Sequence, residues 1–297
     1  MIDSPAAVVL AGVHDWGSCV LNKATVRPLA PVANRAVVEH VLDALKRAGV
    51  ERVAICCNGH AREMRAALGG HTVAGMHIVY RDEAMPRGPA GCIKDAAAEL
   101  GANEFVVAEA TVVPNFDIAE LIRSHRESKA CLTIATKHAL VGNERTHEPV
   151  GVYVCSRQVM SYINDSGFQD LKEGVVPKLH AAGLRVDVHA IDGAAPRLFG
   201  IGSYFAVNEW ATKRACAGDW EMDGYAVEGN ALIHIDARIH RSVRLLGPVI
   251  VGPRSELREG AIVVGPSTIA ADCVVGKGAA VSRSALWEGS EVGDGAH

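Results

Sequence analysis

Apolar residues along the first two hundred positions alternate between two rhythms. Continuous runs such as Ala6–Gly12 (AAVVLAG), Glu51–Cys57 (ERVAICC), MHIVYRD from Met76 and Glu104–Ala110 (EFVVAEA) predict strands buried on both faces, as in a parallel sheet. Between them stand segments with helical spacing. In Arg35–Gly49 the apolar residues Val37, Val38, Val41, Leu42 and Leu45 share one face, and Gly49 supplies a stop. AREMRAALGG, Gly88–Leu100 and FDIAELIRSHRESKA, with Asp117 near its start, predict further helices; CLTIATK, GVYVCS and LRVDVHAI predict further strands. Alternating strands and helices imply a Rossmann-like, mostly parallel sheet covered on both faces, with ligands bound beyond the carboxyl ends of its strands. That places the candidate site on the loops after Leu10, around Asn58, around Arg87–Ala90 and after Ala110.

The rhythm changes near residue 229. Ile233, Ile239, Leu245, Val251, Leu257, Val263, Ile269, Val275, Val281 and Trp287 recur every six positions, each preceded two residues earlier by a smaller residue, from Ala231 to Ala285. This is the hexapeptide pattern of a left-handed parallel β-helix, in which three repeats make one triangular coil and the large residue points inward. Residues 1–228 are therefore expected to form the α/β domain and 229–297 the β-helix. No evident cap follows GSEVGDGAH, so a second subunit is expected to cover the last coil.

Composition narrows the classes of function. The formal charge of −4 argues against nucleic acid as a partner, and no apolar run is long enough to span a membrane. MIDSPAAVVLAG lacks a basic leader and reads as a first strand. The eight cysteines form no CxxC pair and mostly sit in apolar runs, which implies buried thiols in a reducing, cytoplasmic compartment. Histidines including His14, His60 and His71 are scattered without metal-ligand spacing, and His234 and His240 fall on the outside of the repeat.

A strand ending in Leu-Ala-Gly, then RPLAPVANRAVVEHVLDAL, then a hexapeptide β-helix resembles the sugar-1-phosphate nucleotidyltransferases, and especially those of the mannose-1-phosphate guanylyltransferase type. The resemblance implies transfer of a nucleotidyl group from a nucleoside triphosphate to a sugar 1-phosphate, with magnesium held by carboxylates. It assigns nucleotide binding to Leu10, Ala11 and Gly12 of the loop, to Glu83 at a glutamine position that often reads a pyrimidine, and to Gly88 and Ala90 of a GTA motif. Arg27 takes the place of a catalytic lysine.

Several family positions are changed. The second loop glycine is Val13, the third is Asp15, and the loop arginine is Gly17. The two metal-binding aspartates correspond to Thr111 and Gly200, neither of which holds a hard cation well. Glu109, two residues before Thr111 and on the same face, is a candidate substitute carboxylate, the alternative being a solvated or helix-capping glutamate. The EKP segment is absent between TKHALVGNERTHEPVGVYV and its flanking strands. Three readings follow: a catalytically impaired scaffold that binds nucleotide, NDP-sugar or an active paralogous subunit; a divergent active nucleotidyltransferase using magnesium; or a β-helix acyltransferase. The impaired scaffold accounts best for the combined losses, and it requires no cofactor.

Overall fold

The computed structural model describes residues 4–12, 15–17, 19–70, 72–73, 75–83, 87–141 and 144–297; Val13, His14 and His71 lie outside them. The chain divides into two compact units, residues 1–29 with 37–197, and residues 30–36 with 198–297.

The first unit is built on strands β1 (Ala6–Leu10), β2 (Arg52–Cys56), β3 (Thr72–Val73), β4 (Met76–Arg81), β5 (Glu104–Glu109), β6 (Leu132–Val141), β7 (Glu144–Ser156) and β8 (Val186–Ala190). They form one eight-stranded sheet in the order β8-β6-β7-β5-β1-β2-β4-β3. The central strands β5, β1, β2 and β4 are parallel, as the apolar runs predict. Strand β7 runs antiparallel to both β5 and β6, and β3 runs antiparallel to β4. The segment noted for its missing EKP residues becomes the β6–β7 hairpin, paired as far as Val141 and Glu144.

Helices α1 (Val37–Arg47), α2 (Ala61–Leu68), α3 (Gly88–Leu100), α4 (Ile118–Ser128) and α5 (Val176–Ala181) accompany the sheet. Val37, Val38, Val41, Leu42 and Leu45 of α1 are buried, so its apolar stripe faces the core. Asp117 is the N-cap of α4 and its carboxylate accepts the Ala119 N–H at 2.8 Å. Asp117→Ala is expected to cost about 1 kcal/mol, because that helix-end donor loses its partner. A denaturant titration showing a lower midpoint at unchanged slope checks this.

The second unit carries three stacks of short parallel strands. Ala231 lies beside Val249 and Val249 beside Ser267, an eighteen-residue step that is one full coil. The same step relates Ile239 to Leu257 and Leu245 to Val263. Val251, Leu257, Val263, Ile269 and Val275 form the core, together with Ala261, Cys273 and Ala279 two residues earlier in their repeats. Stacked parallel strands on three faces make this a parallel β-helix.

The last coil departs from the sequence pattern. Ile269 lies beside Leu286 and Val275 beside Val292, a step of seventeen. Trp287 is therefore displaced from the inward position that the six-residue period gives it, and Leu286 takes that place. The coil has one residue fewer between Val281 and Leu286, a span that includes Arg283 at φ 45°. The Trp287 indole N–H instead donates to the Tyr204 hydroxyl at 2.7 Å.

Tyr204 lies on helix α6 (Ile201–Cys216), which belongs to the same unit. Its buried Asn208 donates to Thr268 Oγ1 and accepts the Ala33 N–H, so a polar group inside this unit is fully used.

Candidate functional site

Strand β1 lies between β2, which follows it in the chain, and β5, which is added later on its other side, so the strand order reverses beside β1. Such a switch point opens a crevice at the carboxyl ends of the strands. A cleft of about 340 Å³ occupies that place in the first unit. Leu10 and Gly12 line it after β1, Cys56 and Asn58 after β2, Glu83 after β4, and Glu109 and Thr111 at the end of β5. Gly88, Pro89, Cys92 and Ile93 from the start of α3 form another wall. The cleft is large enough for a small ligand, and its lining is mainly apolar with a few polar groups.

Of the residues singled out in the sequence, Leu10, Gly12, Glu83, Gly88, Glu109 and Thr111 meet here. Ala11 and Ala90 are buried and do not line the cleft. Ala90 spends its N–H on the Gln169 carbonyl at 3.2 Å, and Gln169 in turn donates to the Arg87 carbonyl at 2.9 Å. Gly88, at φ 77°, makes that clamp feasible: a Cβ there would stand 2.6 Å from the Gln169 oxygen. Phe168, 73% exposed, packs beside Gly88 at the cleft mouth and has no counterpart among the sequence expectations. Gly200 is the N-cap of α6 and belongs to the second unit.

Arg27 is only 8% exposed. Burial lowers its pKa, opposed by the nearby Asp15. It interacts electrostatically with Arg197, whose pKa is lowered first by burial and then by this like charge. Both remain cations, because a guanidinium keeps its proton in proteins. Arg197 is held beside the end of β5, with Val113 donating to the Pro196 carbonyl at 2.9 Å and Val112 bridged to Arg197. Its guanidinium pairs with the Glu109 carboxylate, both groups being largely buried. Sequence spacing gave no sign of Arg197, which is 88 positions from its partner.

Three carboxylates line the cleft, and each is engaged. Glu83 accepts the Arg87 N–H at 3.2 Å and contacts the Cys92 thiol. Hydrogen bonding to Cys56, burial and the Glu83 carboxylate all raise the Cys92 pKa, so the thiol is the donor. Glu109 is held by Arg197. Asp170 accepts the N–H groups of Lys172 and Glu173 at 2.7 and 3.2 Å as a helix cap.

Magnesium, implied by the family resemblance, does not suit this donor set. The ion is normally anchored by one or two carboxylates alongside substrate phosphates. Here the position offers the Thr111 hydroxyl and a carboxylate already neutralised by a guanidinium. Among the described residues, no group of three or more His, Cys, Asp or Glu side chains is arranged to hold a metal. Likewise, no helix among them is long and apolar enough to cross a membrane.

Residues 20–148 match the family model described as nucleotidyl transferase. The chain is 25% identical to a mannose-1-phosphate guanylyltransferase of Mycobacterium tuberculosis, over 91% of this chain and 82% of the relative. It is 27% identical to a glucose-1-phosphate thymidylyltransferase of Streptomyces griseus, over 91% and 83%. A UTP–glucose-1-phosphate uridylyltransferase of Synechocystis is 22% identical over 91% and 79%. Among solved structures, HddC from Yersinia pseudotuberculosis complexed with GMP-PN aligns with a TM-score of 0.60 at 15% identity, over 69% of this chain and 99% of that one. This likeness concerns the fold. Sheet order, cleft position, matched segment and relatives aligned over most of the chain point the same way: the chain is similar to the sugar-1-phosphate nucleotidyltransferases.

Proposed function

We propose that this protein is a nucleotidyltransferase scaffold of nucleotide-sugar metabolism that binds a guanine nucleotide or GDP-sugar with little or no turnover. The observation that carries this reading is the end of β5, where Thr111 offers a hydroxyl and the neighbouring Glu109 carboxylate is paired with the Arg197 guanidinium. Nucleotidyl transfer gathers negative oxygens around one phosphorus, and the family chemistry implied by the resemblance screens them with a carboxylate-held metal. This cleft retains the walls of such a site, and the carboxylate at its strand end, Glu109, is paired with a guanidinium in place of an ion.

The base preference follows from Glu83. An ionised carboxylate only accepts hydrogen bonds. Guanine offers two adjacent donors, N1–H and the 2-amino group, which the second lone pairs of the two Glu83 oxygens can receive together beside their contacts to Arg87 and Cys92. Uracil and thymine offer one donor flanked by carbonyl oxygens, so a second carboxylate oxygen would face a like partial charge.

Isothermal titration of the full chain with GDP, GDP-mannose, UDP and dTDP tests the reading. GDP or GDP-mannose is expected to bind at least about 10-fold more tightly than the pyrimidine nucleotides, a difference of about 1.4 kcal/mol. Equal affinities would contradict the base assignment, and no binding of any nucleotide would contradict the proposed function.

A further inference from the structure

We infer that the Arg197 guanidinium stands in for the divalent cation, so that the phosphates of a bound nucleotide are neutralised by arginine without magnesium. The inference rests on nucleotide binding in the cleft and adds how the charge is met.

Arg197 is not itself among the residues that line the cleft; it is held directly behind Glu109, which is. Its main chain is bridged to Val112, one residue beyond Thr111, and Asn115 and Ala194 exchange N–H···O bonds at 2.8 and 3.1 Å in the same ribbon. The side chain then reaches back to Glu109, which lines the cleft together with Thr111. The opposite strand makes room for this pair. Gly151, at φ 83°, lies so close that a Cβ would stand 3.0 Å from the Glu109 carboxyl carbon. A side chain at 151 would therefore crowd the carboxylate that holds Arg197 in position.

A divalent cation approaching Glu109 would have to displace this guanidinium and sit beside a permanent positive charge, with Arg27 also within electrostatic reach. A phosphate meets the reverse situation. It finds a planar donor fork suited to paired oxygen acceptors, in a partly buried place where charge-assisted hydrogen bonds are strong. Glu109 then has the opposite role from a metal ligand. It holds Arg197 in the absence of ligand and competes with phosphate for the same donors.

The two roles give opposite signs for one substitution. GDP is titrated into the full-length protein in excess EDTA and again with magnesium chloride, for the wild type and for Glu109→Gln, Arg197→Met and Arg197→Lys. The expected wild-type affinities agree within about 3-fold between the two conditions. Glu109→Gln is expected to tighten GDP binding about 10-fold in EDTA, because the competing charge is gone. Arg197→Met should weaken it at least about 10-fold, with Arg197→Lys between the two. Binding only in magnesium, or weaker or unchanged binding by Glu109→Gln, would overturn the inference while leaving nucleotide binding intact. No GDP binding in either condition would overturn both. Should Arg197→Met fail to fold, Glu109→Gln, a nearly isosteric change, still decides the sign.

Discussion

Glu83→Gln is expected to weaken GDP binding about 30-fold, or about 2 kcal/mol, and to improve binding of UDP or dTDP. The carboxylate presents two acceptors to the two guanine donors. Glutamine presents one acceptor and one amide donor, so one guanine N–H would face another N–H. The cost is that of an unmet polar contact in a shielded pocket, which exceeds the value of an average hydrogen bond. For a pyrimidine the sign reverses, because the amide donor meets a ring carbonyl. The Arg87 N–H and the Cys92 thiol donate to different Glu83 oxygens, so glutamine keeps one of these contacts and sets its amide N–H against the other donor. Titration of both nucleotide classes against wild type and variant checks this. Parallel weakening of GDP and UDP would place Glu83 outside the base contact.

Much of the fold was legible from the residues. The run Ala6–Leu10 forms a central strand because every position of a strand buried on both faces must be apolar, and Ala6, Ala7, Val8 and Val9 are fully buried. The stop at Gly49 also held, with φ 79°. The six-residue period located the β-helix interior as far as Val281. It failed at Trp287 because one shortened corner shifts every later inward position by a residue, and a strict period does not register a local deletion.

Helix α6 gave no clear sequence signal because its buried face includes Asn208 and Thr212, which break the apolar stripe. Those side chains are satisfied by hydrogen bonds, Thr212 to the Asn208 carbonyl at 2.7 Å. At the cleft, the spacing of Gly12, Gly88, Glu109 and Thr111 from strand ends was enough to bring them together. Arg197 and Phe168 were not foreseen, since Phe168 reaches the cleft, and Arg197 reaches its wall residue Glu109, from a distant loop. Arg27, assigned to catalysis by the resemblance, is buried and is not among the residues lining the cleft; its charge is felt by Arg197.

The largest effect expected is on turnover. Relatives named for guanylyl, uridylyl and thymidylyl transfer align with this chain over most of their length. In this chain the end of β5 presents a hydroxyl at Thr111 and an arginine-bound Glu109. A fixed guanidinium screens charge on a bound phosphate, yet it cannot bridge two reacting phosphoryl groups or position them in line as a metal ion can. Loss of that contribution is expected to lower the rate at least about 1,000-fold, or about 4 kcal/mol in the barrier.

Pyrophosphate release from GTP and mannose 1-phosphate in magnesium, followed with the full-length protein at nucleotide concentrations that saturate the cleft, measures this directly. The predicted result is saturation by nucleotide with a rate below about 0.001 per second. Release at about 1 per second or faster, an ordinary enzyme rate, would contradict the account.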